Sequence, residues 1–353
     1  MTISAWYDHL AGLGYDPAAD EPTLPDPLPA SGCCDLGSQA LLTVDGAEAE
    51  TFLQGQLTCD VRRLANGDLL PAAHLTPKGR AVASFLAWRV DDTFYLQLPQ
   101  ALAEAMTRRL SMFLLRSKAT VGRADETLVR LGAWGAAAMD VAAALVGAVP
   151  EAPFRQSSRD GCSVLRLPGA EPRLELLLPV ATAIEAWTAL TAAGAEVCQE
   201  AAWRLLDIRA GLGWVRAETS EALLPQMLNY DRLGGVSFGK GCYVGQEVVA
   251  RLHHLGEVKR RAYPGTVSAA EVPAPGTPLF SPGSTSRQGA GTVVDAIATG
   301  ARACELLAVV ERKTLAADGL RLGAADGPEV VLHAPPYPLD DPAATGAGSR
   351  GRP

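Results

Sequence analysis

Positive charge is in short supply: 39 acidic side chains stand against 31 basic ones, and the net charge of the 353-residue chain is -8. Proteins whose main task is to hold a phosphate backbone are usually basic over the binding face, so the balance argues against direct nucleic-acid binding. The short run Lys259, Arg260, Arg261 is the best local exception; it reads as a solvated strand edge or a contact for an anionic partner. CxxC pairs are missing too, as is any Cys/His cluster with zinc-like spacing, so no metal site is expected. The seven cysteines are odd in number and scattered, which excludes a disulfide framework, and the adjacent Cys33 and Cys34 are badly placed to share one ion. The start, MTISAWYDHLAGLGY, has no basic segment followed by an apolar run, so no signal peptide is expected. The longest apolar stretch, AWGAAAMDVAAALVGAV from Ala133, is alanine-rich and broken by Asp140. It reads as a packed helix and not a membrane span. These absences make the cytoplasm the expected location, with no membrane partner.

What is present is enough chain for two or three domains. A short N-terminal helix is followed by DPAADEPTLPDPLPASG, residues 16–32, whose prolines and acids predict an extended arm, so 1–37 forms a helix plus arm. From Ser38, QALLTV predicts a strand, and Asp45 can cap a short helix with Ala49, Phe52 and Leu53 on one face. RAVASFLAWRV and TFYLQLP flank Asp91–Asp92 as a hairpin, and Leu102, Met106, Leu110, Phe113 and Leu114 share helical spacing. Strands and helices without a strict βαβ rhythm predict an α+β fold. A second α+β unit spans 127–198, with strands TLVRLGAWG, CSVLRLP and LELLLPV and helices near 136–147 and 181–193. The first unit, 38–126, is completed by 199–256. Short strands at turn-rich intervals over 257–334 predict a small C-terminal β-barrel, and 335–353 a disordered tail.

The most specific stretch is GKGCYVGQEVVAR, Gly239 to Arg251. Val248, Val249 and Leu252 predict a helix starting near Gly245. Gly239 and Gly241 permit positive φ and a sharp preceding turn. Cys242 then lies near the positive end of that helix with Lys240 at hand, and both influences favour thiolate over thiol. By spacing alone, such a cysteine is either a nucleophile, redox group or soft ligand, or a small buried filler. His253 and His254 suit the C-terminus of the same helix.

The run Lys240, Gly241, Cys242, Tyr243, Gly245, Gln246, Glu247 and Arg251 resembles the signature of the YgfZ-type folate-binding proteins, relatives of the glycine-cleavage T-protein, the aminomethyltransferase. The likeness continues through DIRAGLGWVRAETSEALLPQMLNYDRLGGVSF at 207–238, FLQGQLTCDV at Phe52–Val61 and HLTPKGR at His74–Arg80. These blocks cover most of the chain from residue 38 to about 265. The resemblance implies a three-domain ring around a central channel that binds tetrahydrofolate or a one-carbon derivative. It also implies a role in assembling or repairing iron–sulfur enzymes, including those that thiolate tRNA, with Cys242 as the residue that matters; three chemistries stand open for it, transient ligation of an iron–sulfur cluster, reaction with a folate-borne one-carbon unit, or reaction with an oxidised species. Such enzymes are the implied partners.

On that footing Gln54, Gln56, Thr58 and Asp60 line a folate channel, unless they form an ordinary loop in which Asp60 satisfies backbone amides. Lys78 and Arg80 hold the folate carboxylates, or belong to a solvated hairpin turn. Asn229 is a channel-lining amide or a turn-former, and Trp203 and Trp214 are core or channel wall. The T-protein enzymes carry paired acids in the strand after the Gly-Gly turn, where this chain has Ala83 and Ser84, and a further acid where it has Arg209. Neither a methyl group nor a serine hydroxyl replaces a carboxylate as a base at neutral pH. A folate-dependent aminomethyl- or methyltransferase and a non-catalytic scaffold therefore stand as the alternatives, the first weakened by the missing acids.

Overall fold

The computed structural model describes residues 2–16, 24–25, 27–286, 289–315 and 319–339. The expected tail from 340 onward, and much of the expected arm, lie outside the described residues. The chain opens with α1 (Ile3–Gly12) and β1 (Gly32–Asp35). Five strands form the first sheet: β2 (Gln39–Asp45), β3 (Leu70–Leu75), β4 (Ala81–Val90), β5 (Thr93–Pro99) and β6 (Thr120–Arg123), in the order β3-β4-β5-β2-β6. Helices α2 (Ala49–Gln56) and α3 (Gln100–Leu114) follow β2 and β5.

The second sheet takes β7 (Leu128–Trp134), β8 (Arg155–Arg159), β9 (Cys162–Leu167), β10 (Arg173–Pro179) and β11 (Glu196–Val197), with α4 (Ala136–Val146) after β7 and α5 (Val180–Ala192) after β10. Its order is β11-β1-β7-β10-β9-β8. Regular structure thus begins before Ser38, because β1 pairs with β7 and β11 and extends this second sheet. The period-two rule sorts its side chains. Leu174, Leu176 and Leu178 face a core shared with α1, α4 and α5, which includes Trp6 and Trp187. Arg173, Glu175 and Leu177 alternate with them, and Leu177 belongs to the core of the first unit.

Helices α6 (Glu200–Arg209) and α7 (Gln246–Leu255) return the chain to the first unit, and β12 (Arg260–Ser268), β13 (Pro278–Phe280), β14 (Gly291–Gly300), β15 (Ala303–Glu311), β16 (Arg321–Leu322) and β17 (Val330–Leu332) build the third sheet. Its order is β16-β13-β14-β15-β12-β17, and a bridge from Arg321 to Glu329 brings its two edges almost to closure as a six-stranded barrel. Bulges in β14 at Val293/Asp295 and Ala298/Gly300 supply the bend such closure needs. Residues just after the barrel are seated, although the sequence assigns them to the tail: the Tyr337 hydroxyl donates to the Gly211 carbonyl at 2.7 Å, and Leu339 packs on the barrel core.

Candidate functional site

The Cys242 loop is fixed by two close approaches. Gly245 has φ 77°, and a Cβ there would stand 2.5 Å from the Thr76 carbonyl oxygen. A Cβ on Gly79, φ 74°, would stand 2.9 Å from Val248 Cβ. Only glycines let the TPKG turn and the N-terminus of α7 meet this closely. Positive φ falls at Gly245 and not at Gly239 or Gly241, whose missing side chains face nothing within 4 Å. The sequence puts the kink in the wrong place because permission for positive φ, which any glycine has, differs from a need for it.

Lys240 provides the second anchor. Its Nζ donates to the carbonyls of Leu57 and Cys59, both at 2.7 Å, and lies 5.0 Å from the centre of the Tyr243 ring. The Val244 N–H donates to the Gly55 carbonyl at 3.3 Å. Burial pulls the Lys240 ammonium down to about 8. The charge expected beside the Cys242 sulfur therefore points into the protein, where backbone oxygens repay part of its lost hydration. What the loop leaves outside is the thiol: Cys242 is exposed, and the other six cysteines are buried. Glu247, in the first turn of α7, and Arg251 are exposed, and Gln246 is half-buried.

The polar side chains of FLQGQLTCD are largely engaged inside the fold. Gln54 Nε2 donates to Asp60 Oδ1 at 2.8 Å, and Gln54 Oε1 accepts the Val61 N–H at 3.0 Å. Asp60 also accepts from the backbone and guanidinium of Arg62, whose hydrogen bonds hold the carboxyl at about 2. Thr58, fully buried, donates to the Gly235 carbonyl and accepts the Ala73 N–H. The Gln56 side-chain oxygen is buried and unpaired. Lys78 is exposed on its turn, and Arg80 donates to the Ala222 carbonyl. Ser84 Oγ accepts the Val215 N–H at 2.8 Å, so the hydroxyl that stands where the family enzymes have an acid is tied into the core.

A cavity of 760 Å³ opens where the second unit, α6 and the segment after the barrel converge. Trp134, Phe154 and Tyr337 supply aromatic wall, and Arg173, Arg209 and Arg232 supply charge. Arg173, 1% exposed, is ion-paired to Asp207 at 2.8 Å and stacks 4.7 Å above the Trp203 ring. Arg209 reaches across to Glu305 on β15 through two contacts of 2.9 and 2.6 Å. Asn229, fully buried with φ 62°, borders the cavity indirectly: Nδ2 donates to the Tyr337 hydroxyl at 3.1 Å and to the Ala262 carbonyl at 2.8 Å. None of Gln54, Gln56, Thr58, Asp60, Lys78 and Arg80 lines this cavity, nor does any residue of the Cys242 loop. Sequence reasoning flagged Arg209 but missed Trp134, Phe154, Arg173 and Tyr337; conventional strand and tail positions carry no signal that they converge. Among the described residues, no group of three or more His, Cys, Asp or Glu side chains is placed to hold a metal ion. No helix among them is long and apolar enough to cross a membrane.

No family model matches the sequence. Whole-chain comparison finds relatives: the tRNA-modifying protein YgfZ of Klebsiella pneumoniae (strain 342) is 32% identical over 306 residues, 87% of this chain and 93% of that protein. The chain belongs to the YgfZ family. The YgfZ protein of Enterobacter sp. (strain 638) matches to the same extent, and that of Colwellia psychrerythraea (strain 34H / ATCC BAA-681) is 32% identical over 237 residues, 67% of this chain and 72% of its own length. The family fold is that of the T-protein: the glycine cleavage system aminomethyltransferase T from Bartonella henselae superposes with a TM-score of 0.65 at 16% identity, over 86% of this chain and 85% of that one.

Proposed function

We propose that this protein binds tetrahydrofolate, or a one-carbon derivative, and supports tRNA modification by serving iron–sulfur enzymes that thiolate tRNA, with Cys242 as the reactive group. The observation that carries this reading is membership of a family whose relatives are named tRNA-modifying proteins, matched over 93% of one relative's length. The aminomethyltransferase fold and the cavity support the folate part.

The cavity suits that ligand by volume and chemistry. Its 760 Å³ falls in the ordinary range for small-molecule sites. Trp134, Phe154 and Tyr337 would stack on the flat pterin and benzoyl rings, and Arg209 and Arg232 would meet the glutamate carboxylates. Bound there, the folate supplies a reduced ring and a carrier for one-carbon units. Asn229 would orient the Tyr337 hydroxyl at the wall, and Arg173 with Asp207 would stiffen the floor beneath it. Gln54, Thr58 and Asp60 support the loop from within, and Lys240 holds it down. The loop and the cavity have separate linings, and on this reading the folate acts on the state of the protein. Cys242 then meets the client's cluster as an exposed soft donor.

Two measurements test the reading. Calorimetry with tetrahydrofolate should show binding to the wild-type chain; neither heat nor a thermal shift would remove the folate claim. In cells, Cys242→Ala should lower iron–sulfur-dependent tRNA thiolation, and thiolation equal to wild type would end the cysteine-centred mechanism.

A further inference from the structure

The last turn of α3 differs from the rest of that helix. Its earlier turns bury Leu102, Ala103, Met106 and Leu110. Met112, Phe113 and Leu115 instead are 68, 40 and 90% exposed. Leu115, which closes the helix, has φ 44° and ψ −99°, a backbone conformation that favours glycine. The fold accepts strain at this position and gains no burial from it, a pattern that concentrates at functional sites. Cations surround the apolar group: Arg108, Arg116 and Lys118 are exposed and Arg109 is half-buried. The acids touching the segment are Glu104, paired with Arg108 at 3.6 Å, and Glu48, which accepts the Lys118 backbone N–H.

A relay of contacts links this patch to the Cys242 loop. The Phe113 ring lies 6.0 Å from that of His74, and Arg109 Nε donates to His74 Nε2 at 2.9 Å. The proton is thereby assigned to Nδ1, which donates to the Gln56 carbonyl. The adjacent Gly55 carbonyl accepts the N–H of Val244, two residues from the cysteine.

We propose that the C-terminal end of α3 docks a protein with an apolar centre and an acidic rim, a client enzyme of this chain. The inference rests on the reading that the protein serves client enzymes, and adds where they bind. Phe, Met and Arg are the residue types enriched in protein interfaces. In a chain of net charge -8, a local cluster of arginines and lysine selects an acidic partner. RNA would pair with the arginines but leave Leu115 and Met112 uncovered. A membrane-surface helix carries an apolar stripe over several turns, whereas the exposed face of α3 upstream holds Glu104, Arg108 and Ser111.

The test is biolayer interferometry of the full chain against an iron–sulfur tRNA-thiolating enzyme purified from the same organism. The wild type, a Met112→Ser/Leu115→Ser double variant and Arg116→Glu are compared, with thermal melts as the folding check. The double variant should bind roughly tenfold more weakly or worse, as expected for central apolar anchors. Arg116→Glu should lose several-fold, and both should melt with the wild type. Equal binding by wild type and double variant overturns the docking surface alone. No binding by the wild type overturns the client reading and the docking surface together. Should the variants instead lose affinity for tRNA or for phosphatidylglycerol vesicles while holding the enzyme normally, the patch belongs to RNA or membrane and the proposal is wrong.

Discussion

Lys240 and Cys242 are two residues apart and live in different media. The thiol is in water, so Cys242→Ser should leave stability within about 0.5 kcal/mol of wild type in urea unfolding. The ammonium is buried against two carbonyls and sits at about 8, below its usual 10.5. An unfolded lysine keeps its proton to about pH 10.5, so between pH 8 and 10.5 the unfolded chain holds more protons. This residue's contribution to stability therefore rises with pH across that window, and Lys240→Met should flatten the rise. The same variant strands two carbonyls and should lower stability at pH 7 by about 1–3 kcal/mol. With its clasp gone the loop loosens, and the Val244 amide, which donates to the Gly55 carbonyl, should exchange for deuterium several-fold faster, followed by mass spectrometry. An unchanged rate would mean that Lys240 does not hold the loop.

At the scale of elements, the glycine contact between the TPKG turn and α7 is the most sensitive joint. Gly245→Ala would force a Cβ to within 2.5 Å of the Thr76 oxygen at φ 77°, and should cost about 2–3 kcal/mol in urea unfolding. A variant as stable as wild type would show that the turn can retreat. Helix α7 is readable in the sequence because Val248, Val249 and Leu252 repeat at helical spacing and a glycine precedes them. Strand β3 is not: LPAAHL is buried at every position, so no polar alternation marks it. Strand β1 is likewise hidden, since GCCD is short and wholly buried.

For the molecule as a whole, the seams between units matter most. Glu175 on β10 is fully buried, and burial lifts its carboxyl to about 7 against the opposing pull of Arg130. The folded state thus holds the proton more tightly than the unfolded one, whose value is near 4.5. Stability from this group is complete below about pH 4.5 and declines as pH rises to about 7. Glu175→Gln should remove that part of the slope in melts across the range; an identical slope would show that Glu175 does not titrate there. Around the cavity, Arg209 joins α6 to the barrel through Glu305 while lining the proposed folate site. Arg209→Glu should weaken tetrahydrofolate binding by about tenfold in calorimetry, the order of one charge-assisted pair.

The α+β texture, the C-terminal barrel and the helix at Gly245 were all contained in the sequence, because periodicity and glycine placement are local properties. Convergence was not. That Trp134, Phe154, Arg209 and Tyr337, from four separate stretches, share one cavity depends on how three sheets pack. That Lys240 turns inward while Cys242 stays outside depends on where the Leu57 and Cys59 carbonyls lie. Such outcomes come from long-range burial, in which each charged group either finds distant oxygens or stays in water, and no window of neighbouring residues encodes that choice.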